Sequence, residues 1–339
     1  MADDKAKVQQ VDETTTPAVK RSFFARVGAH YRKWWWLHLI ILVVVVLVIT
    51  LPIVYVAYPR IAQSDVNKSS LNITNLVFSN PTPSSIHANQ TQVLTNKASY
   101  HPTIYAFNAS ISLPGASAPL STVLIPRLQA NDGEIINVDA TLALNQSTDA
   151  VANFTMAVLG LESFQLNFYG RPDLKEGALP REKVSFNKTV TMNGLNGLRG
   201  FSLEDLMIAS DLTNLNGTAL IPNPSIITVA MGNVTLDVSV NGTQIGQSYL
   251  TNLVLAPGNN SVPLQGTINT TQVLGLITGN TSAYSSGVLP LGIRGISSVY
   301  NGQEIPYFSQ ALQANLLQTP MNITQVLINS GLGDLATVL

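Results

Sequence analysis

"VTLDVSVNGTQIG", from Val234 to Gly246, is the stretch that decides the fold class of this 339-residue chain. Apolar and polar residues alternate on both sides of its Asn241-Gly242 pair, as they do in half-buried strands. Asn-Gly is the strongest short-range hairpin signal, because a type I′ turn needs a positive φ at both central residues. The stretch therefore predicts two antiparallel strands joined by a two-residue turn.

The same alternation recurs along the chain after residue 58. It is clear in "ESFQLNFYG" from Glu162 and in "VSFNKTVTM" from Val184. Helical patterns are short, and we predict them at Thr148–Leu159, Ser202–Ala209, Thr270–Thr278, Glu304–Leu317 and Ile323–Leu335. The second of these rests on a capping box, in which a Ser is followed three residues later by an acid. The part of the chain after residue 58 is thus predicted to be mainly β.

One apolar run near the N-terminus is predicted to span a membrane. Leu37 to Ala57 contains no Asp, Glu, Lys or Arg, and 16 of its 21 residues are Leu, Ile or Val. At about 1.5 Å per residue, this length matches a hydrocarbon core of roughly 30 Å. A buried strand is disfavoured because strands end after about 4 to 8 residues. A cleaved signal peptide is disfavoured because the run is too long, 33 residues precede Trp34, and bulky Tyr55 stands where a small residue is expected.

Charged and aromatic residues around the run predict its orientation. Five basic residues and no acidic residue lie between positions 20 and 33, whereas only Arg60 and Lys68 are basic between positions 58 and 70. By the positive-inside rule, the N-terminus is predicted to be cytosolic and the C-terminal part luminal or extracellular. The predicted membrane-interface anchors are Trp34, Trp35, Trp36, Arg32, Lys33, Tyr55 and Tyr58.

Acceptor motifs for N-glycosylation support the same topology. Fourteen N-x-[ST] sequons follow the apolar run and none precedes it, whereas chance placement would give about five. An Asn-rich and Thr-rich β protein also forms sequons freely, and this alternative leaves the topology unchanged. The candidate sites are Asn67, Asn72, Asn89, Asn108, Asn145, Asn153, Asn187, Asn216, Asn233, Asn241, Asn259, Asn269, Asn280 and Asn322.

An internal repeat indicates two β units. "FSNPTPSSI" from Phe78 resembles "LIPNPSII" from Leu220, and "STVLIPRLQANDGEIINVDATL" from Ser121 resembles "TNLVLAPGNNSVPLQGTINTT" from Thr251. Two β-sandwich units of about 100 residues follow from this repeat. The predicted organisation is a cytosolic basic tail (1–33), a transmembrane helix (34–58), a first β-sandwich (65–170), a connecting segment (171–211), a second β-sandwich (212–300) and a helical C-terminal tail (301–339).

A family resemblance adds to this interpretation. "IPNPSIITVAMGNVTLDVSVNGTQIGQSYLTNLVLAPGNNSVPLQGTI", from Ile221, resembles the group 2 late-embryogenesis-abundant (water-stress and hypersensitive-response) domain. "GRPDLKEGALPREKVSFNKTVTMNGLNGLRGF" and "GISSVYNGQEIPYFSQAL" resemble fungal single-pass membrane proteins that carry such domains in the vacuole lumen or outside the cell. The resemblance covers residues 65–320 and departs at Gly115–Leu120, where "SLPGASAPLS" interrupts the strands.

The resemblance implies a fold and a class of function. It implies tandem immunoglobulin-like or fibronectin-like β-sandwiches without known catalytic residues. Some relatives sit on the vacuolar membrane and are tied to autophagy control, and more distant relatives with apolar grooves are suspected of contacting lipid. The resemblance therefore implies a membrane-anchored binding protein.

Composition argues against several other classes of protein. A net charge of −1 and a pI near 6.4 give no reason to expect nucleic-acid binding. Without cysteine the chain has no disulfide framework, thiolate chemistry or Cys-ligated zinc. Neither H-E-x-x-H nor G-x-S-x-G occurs, so two common hydrolase patterns are missing. We therefore predict no cofactor and no enzymatic activity.

Three groups of residues are candidate sites of chemistry. His87 and His101 could share a metal with Asp132 or Asp139, although histidines near strand ends are usually solvated. Glu204, Asp205 and Asp211 invite a paired-carboxylate glycosidase interpretation, although acids in a first helical turn usually serve the cap. Gly194, Gly197 and Gly200, with Arg199, could form an anion site before a helix, although a tight connection explains them as well.

Two classes of function remain, with an enzyme as a distant third. In the first, the protein is a non-enzymatic, membrane-anchored glycoprotein whose β-sandwiches bind lipid or a luminal protein partner, with the vacuolar membrane favoured as its location. In the second, it is a structural glycoprotein of the cell surface or wall. A glycan hydrolase would need a carboxylate pair about 5 to 10 Å apart in a cleft.

Overall fold

The computed structural model describes residues 23–146, 149–278, 284 and 286–336. The chain divides into two compact units, Met1–Tyr58 and Pro59–Leu339. The predicted cytosolic residues 1–22, the side chains of Arg32 and Lys33, and the sequon at Asn280 lie outside the described residues.

The first unit contains one long apolar helix. Helix α1 spans Phe23–Pro52 and departs from helical geometry at Trp34, where φ is −118° and ψ is 15°. A π-helical turn, Ile53–Ala57, follows Pro52 directly, because proline lacks an N–H and its ring crowds the preceding turn. Within the described residues, Trp34–Lys68 is the one helix long and apolar enough to cross a membrane, and none of its most apolar window is buried.

The second unit is mainly β, as predicted. Its helices are α2 Tyr58–Lys68, α3 Ala150–Gly160, α4 Thr270–Ile277, α5 Pro306–Ala314, α6 Ile323–Asn329 and α7 Gly333–Ala336. Its strands are β1 Ser70–Thr82, β2 Ser85–Thr95, β3 Thr103–Ile104, β4 Phe107–Ser112, β5 Ser121–Ile125, β6 Leu128–Gln129, β7 Glu134–Ala143, β8 Ser163–Gly170, β9 Asp173–Lys175, β10 Glu182–Lys183, β11 Phe186–Asn193, β12 Ser202–Ile208, β13 Asn214–Asn223, β14 Ile227–Val240, β15 Thr243–Leu255, β16 Gly258–Ile268, β17 Val288–Tyr300, β18 Gln303–Glu304 and β19 Leu316–Asn322.

The first half of this unit is sandwich-like. Strands β1, β2 and β7 form one layer, and a second sheet has the order β11-β8-β4-β5. Apolar side chains from both layers meet in the interior, where Leu94 and Ile136 share a small cavity with Phe107, Phe168 and Phe186. A third sheet, of order β10-β9-β3-β6, consists of strands of two or three residues.

The second half is one curved sheet of order β12-β13-β16-β15-β14-β17-β19. Its inner face holds fully buried side chains such as Ile221, Met231 and Leu255. Helix α6 links the two ends of this sheet. It follows β19 directly, Asn329 Nδ2 donates to the Leu206 carbonyl of β12 at 3.3 Å, and the Ile208 amide donates to Ser330 Oγ at 2.7 Å.

Strand β14 belongs to both halves. Its first residues pair in parallel with β1, where Leu76 lies opposite Ile227, and its later residues pair antiparallel with β17 from Asn233 onward. Gly232 separates the two partners with a φ of +76°, a conformation that glycine adopts without cost. The predicted units 65–170 and 212–300 therefore share an 11-stranded sheet.

The predicted hairpin and two of the predicted helices are confirmed. Val240 pairs with Thr243, and Asn241 and Gly242 have φ values of +50° and +81°. Helix α3 matches the predicted Thr148–Leu159 helix from Ala150 onward, Thr148 itself lying outside the described residues. Helix α4 matches the predicted Thr270–Thr278 helix.

Three of the helical predictions were wrong in part or in whole. The predicted Ile323–Leu335 helix is divided into α6 and α7 by residues 330–332, where Gly331 has a φ of +74°. Ser202–Ile208 is strand β12 and not a helix, because its backbone forms hydrogen bonds with β13. A capping box alone does not satisfy the backbone of the whole segment. The predicted Glu304–Leu317 helix ends at Ala314, and Leu316–Asn322 forms β19 against β17. The tail 301–339 is therefore not purely helical, and the connecting segment 171–211 contains strands β9 to β12.

Candidate functional site

An open cleft with a volume of about 920 Å³ lies on the outer face of β14, β17 and β19. We call it the β17 cleft. The inner positions of β17 are buried at Leu289, Leu291 and Ile293, so the alternate residues Pro290, Gly292 and Arg294 face outward. The cleft thus follows from the period of two along a single strand.

The floor of the cleft is shaped by Gly292 and two prolines. Gly292 lies opposite Ser239 on β14 and Gln318 on β19, and Pro290 lies opposite Pro320. A Cβ on Gly292 would come within 3.0 Å of Ser239 Oγ, which itself donates to the Gly292 carbonyl at 3.0 Å. The missing side chain therefore leaves the space at the centre of the cleft.

Apolar and charged groups lie side by side in the cleft. Val288, Pro290, Leu316 and Pro320 supply an apolar strip, and Leu316 is 51% exposed. Arg294 lies beside this strip, opposite Leu316 on β19 and Asp237 on β14 in the register. The Asp237 carboxylate accepts a hydrogen bond from Gln244 Nε2, and no carboxylate oxygen among the described residues lies within 4.0 Å of Arg294.

This arrangement is suited to binding. Ligand sites are typically concave, largely apolar and about 300 to 1,000 Å³ in volume, with a few polar groups that fix orientation. The cleft offers one guanidinium and several amide and hydroxyl groups, namely those of Gln318, Ser239 and Thr319. The arrangement can hold an apolar segment and pair an acid with Arg294.

The cavities found inside the β layers are much smaller. Those lined by Phe78 and Phe154, by Met231 and Leu250, and by Leu94 and Phe168 measure about 20, 30 and 10 Å³. A water molecule needs roughly 10 to 15 Å³ by this measure, so each of these has room for about one or two waters. None of the three has room for an acyl chain.

The sequons lie on the surface. Of the 13 sequon asparagines that the structure describes, 12 are exposed and Asn145 is half-buried. Of the 15 other asparagines after residue 58, eight are exposed, and two, Asn96 and Asn223, are buried. The sequon asparagines are thus more exposed than the other asparagines of the same unit. Asn241 lines the β17 cleft at the hairpin turn.

The two histidines are kept apart by their partners. His87 Nε2 lies 2.9 Å from Asp139 Oδ1 on the neighbouring strand β7, whereas His101 Nδ1 lies 3.1 Å from the Ala130 carbonyl. The Asp132 carboxylate accepts the Asn96 backbone amide at 3.1 Å. Among the described residues, no group of three or more His, Asp or Glu side chains is placed to hold a metal ion.

The three candidate carboxylates do not sit in a first helical turn. Glu204 and Asp205 lie exposed on strand β12, at a bulge that packs over Gly217, and a Cβ on Gly217 would meet the Glu204 carbonyl at 3.0 Å. Asp211 caps the turn before β13, since its carboxylate accepts the amides of Thr213 at 2.9 Å and Asn214 at 3.0 Å. These two amides lower the pKa of Asp211, because they stabilise the carboxylate.

The glycine-rich segment forms a tight connection. Asn196–Leu198 is a single 3₁₀ turn, and strand β12 follows it where the anion-site interpretation required a helix. Gly194 packs against the Val158 carbonyl, which a Cβ would approach to 2.9 Å, and the Leu195 amide donates to that carbonyl at 2.7 Å. The predicted helix N-terminus is therefore absent from this described segment.

The aromatic anchors are exposed on the first unit. Trp34, Trp35, Trp36 and Tyr55 are 41%, 62%, 50% and 69% exposed, and Trp34 and Trp36 stack with ring centroids 6.5 Å apart. Tyr58 is buried to 8% exposure. Four of the predicted anchors thus present their rings outward, and Tyr58 does not.

The cleft residues were missed by sequence reasoning, although a signal exists. In "LPLGIRGI" the aliphatic residues take every second position, which leaves Pro290, Gly292 and Arg294 on the opposite face. A proline, a glycine and an arginine on one exposed face indicate an uneven surface. Their partners Leu316 and Gln318 were hidden because both lie in the segment 301–339, which was predicted to be a helical tail.

Comparisons with known proteins give a family match over about a third of the chain. A family described as "Protein of unknown function (DUF3712)" matches residues 118–238. No curated protein matches the chain.

Solved structures show distant likenesses. A protein from Archaeoglobus fulgidus is 14% identical, with 37% of this chain and 94% of that chain covered and a TM-score of 0.22. The red sea bream transglutaminase is 10% identical, with 75% and 30% covered and a TM-score of 0.24. The E. coli chaperone DraB is 11% identical, with 75% and 98% covered and a TM-score of 0.21. At these TM-scores the likenesses carry no weight for function.

Proposed function

We propose that the protein is a non-enzymatic, single-pass membrane glycoprotein whose β-rich unit holds a protein partner in the β17 cleft. The observation that carries the proposal is the cleft itself, an open volume of about 920 Å³ in which an apolar strip lies beside Arg294. The matching partner presents an extended apolar segment with an acidic residue beside it.

The dimensions of the cleft favour a short extended peptide. Val288, Pro290, Gly292 and Arg294 occupy alternate positions of β17. At about 3.3 Å per residue they span roughly 20 Å, the length of a six-residue strand. Pairing a partner's carboxylate with Arg294 would add charge-assisted hydrogen bonds, which are stronger than neutral ones.

Lipid binding, the other branch of the first interpretation, has less support. The three small interior cavities measure about 10 to 30 Å³. A lipid chain would therefore have to lie in an open cleft, either the β17 cleft or one of about 860 Å³ lined by Leu212, Ile245, Ile268 and Leu274. The β17 cleft also presents polar groups, such as those of Gln318 and Ser239. A protein segment satisfies such polar groups with its own backbone, whereas an acyl chain leaves them without partners.

We propose that the N-terminus is cytosolic and that the second unit is luminal or extracellular. The basic residues before the apolar run and the exposed sequons after it support this orientation. The resemblance to fungal proteins with late-embryogenesis-abundant-like domains favours the vacuolar membrane over the plasma membrane. Protease protection combined with glycosidase digestion tests the orientation. A C-terminal tag that is cytosolic, on a protein whose mobility glycosidase does not shift, would contradict it.

A second candidate function is a structural glycoprotein of the cell surface or wall. The exposure of 12 of the 13 described sequon asparagines favours it, because glycans at these positions would cover much of the surface. A C-terminal tag found at the vacuolar rim alone would contradict this candidate.

Site-specific photo-crosslinking tests the proposed cleft. A photoreactive amino acid at Leu316, inside the cleft, should give a discrete protein adduct in cells, whereas the same group at Leu161, exposed outside the cleft, should not. Gly292→Val fills the floor and Arg294→Glu reverses the charge, so both should remove the adduct. Equal adducts from both positions, or an adduct unaffected by these variants, would contradict the proposal.

A further inference from the structure

The outer face of the small sheet β10-β9-β3-β6 carries a concentration of positive charge in a unit that is otherwise acidic. Residues 58–339 contain 11 Lys or Arg and 15 Asp or Glu, a net charge of −4. Four of the 11 basic residues lie on or beside this one sheet, namely Arg127, Lys175, Arg181 and Lys183. We call this surface the basic sheet face.

The strand register places these side chains together. Ile104 lies opposite Leu174 and Leu128, and all three are buried, so this row faces the core. The adjacent residues must therefore face outward. Lys183 pairs with Asp173 in one outward row, and Lys175 pairs with Thr103 in another.

Tyr105 organises the two arginines. The Arg181 guanidinium carbon lies 4.0 Å from the centre of the Tyr105 ring, and that of Arg127 lies 5.1 Å from it. The two guanidinium carbons are therefore within about 9 Å of each other. Cation–π contacts of this kind favour positions of both guanidinium groups over the ring.

Few ion pairs are formed by these charges. Lys183 Nζ lies 4.0 Å from Asp173 Oδ1, the longest ion pair found in the described residues. No carboxylate oxygen in that part of the chain lies within 4.0 Å of Arg127, Arg181 or Lys175. Glu182 on β10 pairs with buried Leu174, in the row that faces the core, and Glu176 follows β9. With Asp173 counted, the outward rows have a net charge of +3; with Glu176 and Glu182 included, the sheet and its adjoining residues have a net charge of +1.

We propose that the basic sheet face binds a small, soluble, multiply phosphorylated molecule. Two guanidinium groups held on one ring are suited to phosphate oxygens, because each can donate two parallel hydrogen bonds to one anion. Lys175 supplies a further positive charge. Tyr105 is a positioning residue that holds the two guanidinium groups in place.

The size of the face favours a compact anion over a long polymer. Its strands have two or three residues each, and neighbouring strands lie about 4.8 Å apart. The four strands therefore span roughly 14 Å in one direction and about 7 Å in the other. Two or three phosphate groups fill this area, whereas a nucleic acid or a polyanionic protein would extend beyond it to a surface of net negative charge.

Calorimetry of the full chain in nanodiscs of neutral lipid, with inorganic tripolyphosphate as the probe, tests the proposal. Wild type should bind, and Arg127→Ala/Arg181→Ala should weaken binding at least tenfold. The matched control Lys68→Ala/Arg199→Ala removes two exposed charges elsewhere and should stay within twofold. Both arginines of the first pair are exposed, so equal unfolding temperatures will show that the variants fold.

Further variants separate geometry from charge. Arg127→Lys/Arg181→Lys keeps the charge but not the paired donors, and should bind with an affinity between wild type and the alanine pair. Tyr105→Phe keeps the ring and should bind as wild type, whereas Tyr105→Leu should bind more weakly. Equal binding by Tyr105→Phe and Tyr105→Leu would overturn the role of the ring.

Three outcomes would overturn the proposal as a whole. In the first, wild type does not bind tripolyphosphate. In the second, Arg127→Ala/Arg181→Ala and the control Lys68→Ala/Arg199→Ala lose the same amount of affinity. In the third, the protein binds anionic-lipid vesicles but not tripolyphosphate. The last outcome would assign the basic sheet face to a membrane surface.

Discussion

The ammonium group of Lys188, on strand β11, donates a hydrogen bond to the backbone carbonyl of Val66 in the last turn of helix α2. It also donates to the carbonyls of Ser69 and, at 3.4 Å, of Asn67. A helix leaves its last carbonyls without partners inside the helix, and a cation there is favoured by the helix dipole. Gln63 adds two hydrogen bonds to the Ser185 backbone, so β11 and its preceding residues hold α2 in place.

Replacing this lysine should loosen α2. Lys188→Met keeps the length and burial of the side chain but removes the donor from three carbonyls, and should lower the free energy of unfolding by about 1 to 3 kcal/mol. Chemical denaturation of the full chain measures this change. Lys97→Met, at an exposed position, serves as the control and should change little; equal losses in both variants would contradict the role given to Lys188.

The same residue predicts a dependence of stability on pH. Burial lowers the pKa of Lys188 below 10.5, because removal from water disfavours the charged form. The unfolded chain then binds this proton more tightly than the folded chain, so the free energy of unfolding rises with pH between the lowered pKa and 10.5. Wild type should therefore gain stability relative to Lys188→Met as the pH rises through this window. A fall in this relative stability would show that the hydrogen bonds to the carbonyls raise the pKa of Lys188 more than burial lowers it.

One sequon asparagine has a structural role that can be separated from glycosylation. Asn322 Oδ1 accepts the Gln325 amide at 3.1 Å and caps helix α6. In protein without glycans, Asn322→Ala should cost about 1 kcal/mol, whereas Asn322→Asp keeps the cap and should cost little. Both variants remove the sequon. Thermal unfolding compares them, and equal losses would contradict the cap.

Gly232 and Gly242 allow the cost of a left-handed backbone to be separated from the cost of a steric clash. Their φ values are +76° and +81°, so alanine at either should cost about 1 to 2 kcal/mol for its left-handed conformation. A Cβ on Gly242 meets nothing within 4 Å, whereas one on Gly232 would press on the Val299 carbonyl and come within 3.1 Å of the Tyr300 ring. Gly232→Ala should therefore be the more destabilising by denaturation. Equal costs would show that β14 adjusts to the added methyl group.

Local patterns predicted the strands well and their partners poorly. "VSFNKTVTM" has the expected alternation, since β11 is buried at Phe186, Lys188, Val190 and Met192. Lys188 takes a core position in this pattern, and no local feature of the sequence predicts its contact with α2. The pattern predicts which face is inward, but not what lies there.

The repeat shows the same limit. Strands β1 and β2 pair directly, whereas the similar β13 and β14 are separated by β16 and β15. Similar turn residues favour similar local bends, but the partner strand is chosen by the packing of distant residues. Sequence similarity between the copies therefore did not predict their sheet order.

By itself, the sequence determined the mainly β character, the long apolar helix and the Asn241-Gly242 hairpin, because each depends on residues within one short window. Tertiary structure decided the strand order, the β17 cleft and the basic sheet face. Leu316 and Arg294 lie 22 positions apart, and Arg127 and Arg181 lie 54 apart, until pairing of their strands brings them together. Such contacts depend on hydrogen bonds and burial between distant segments, which local periodicity does not encode.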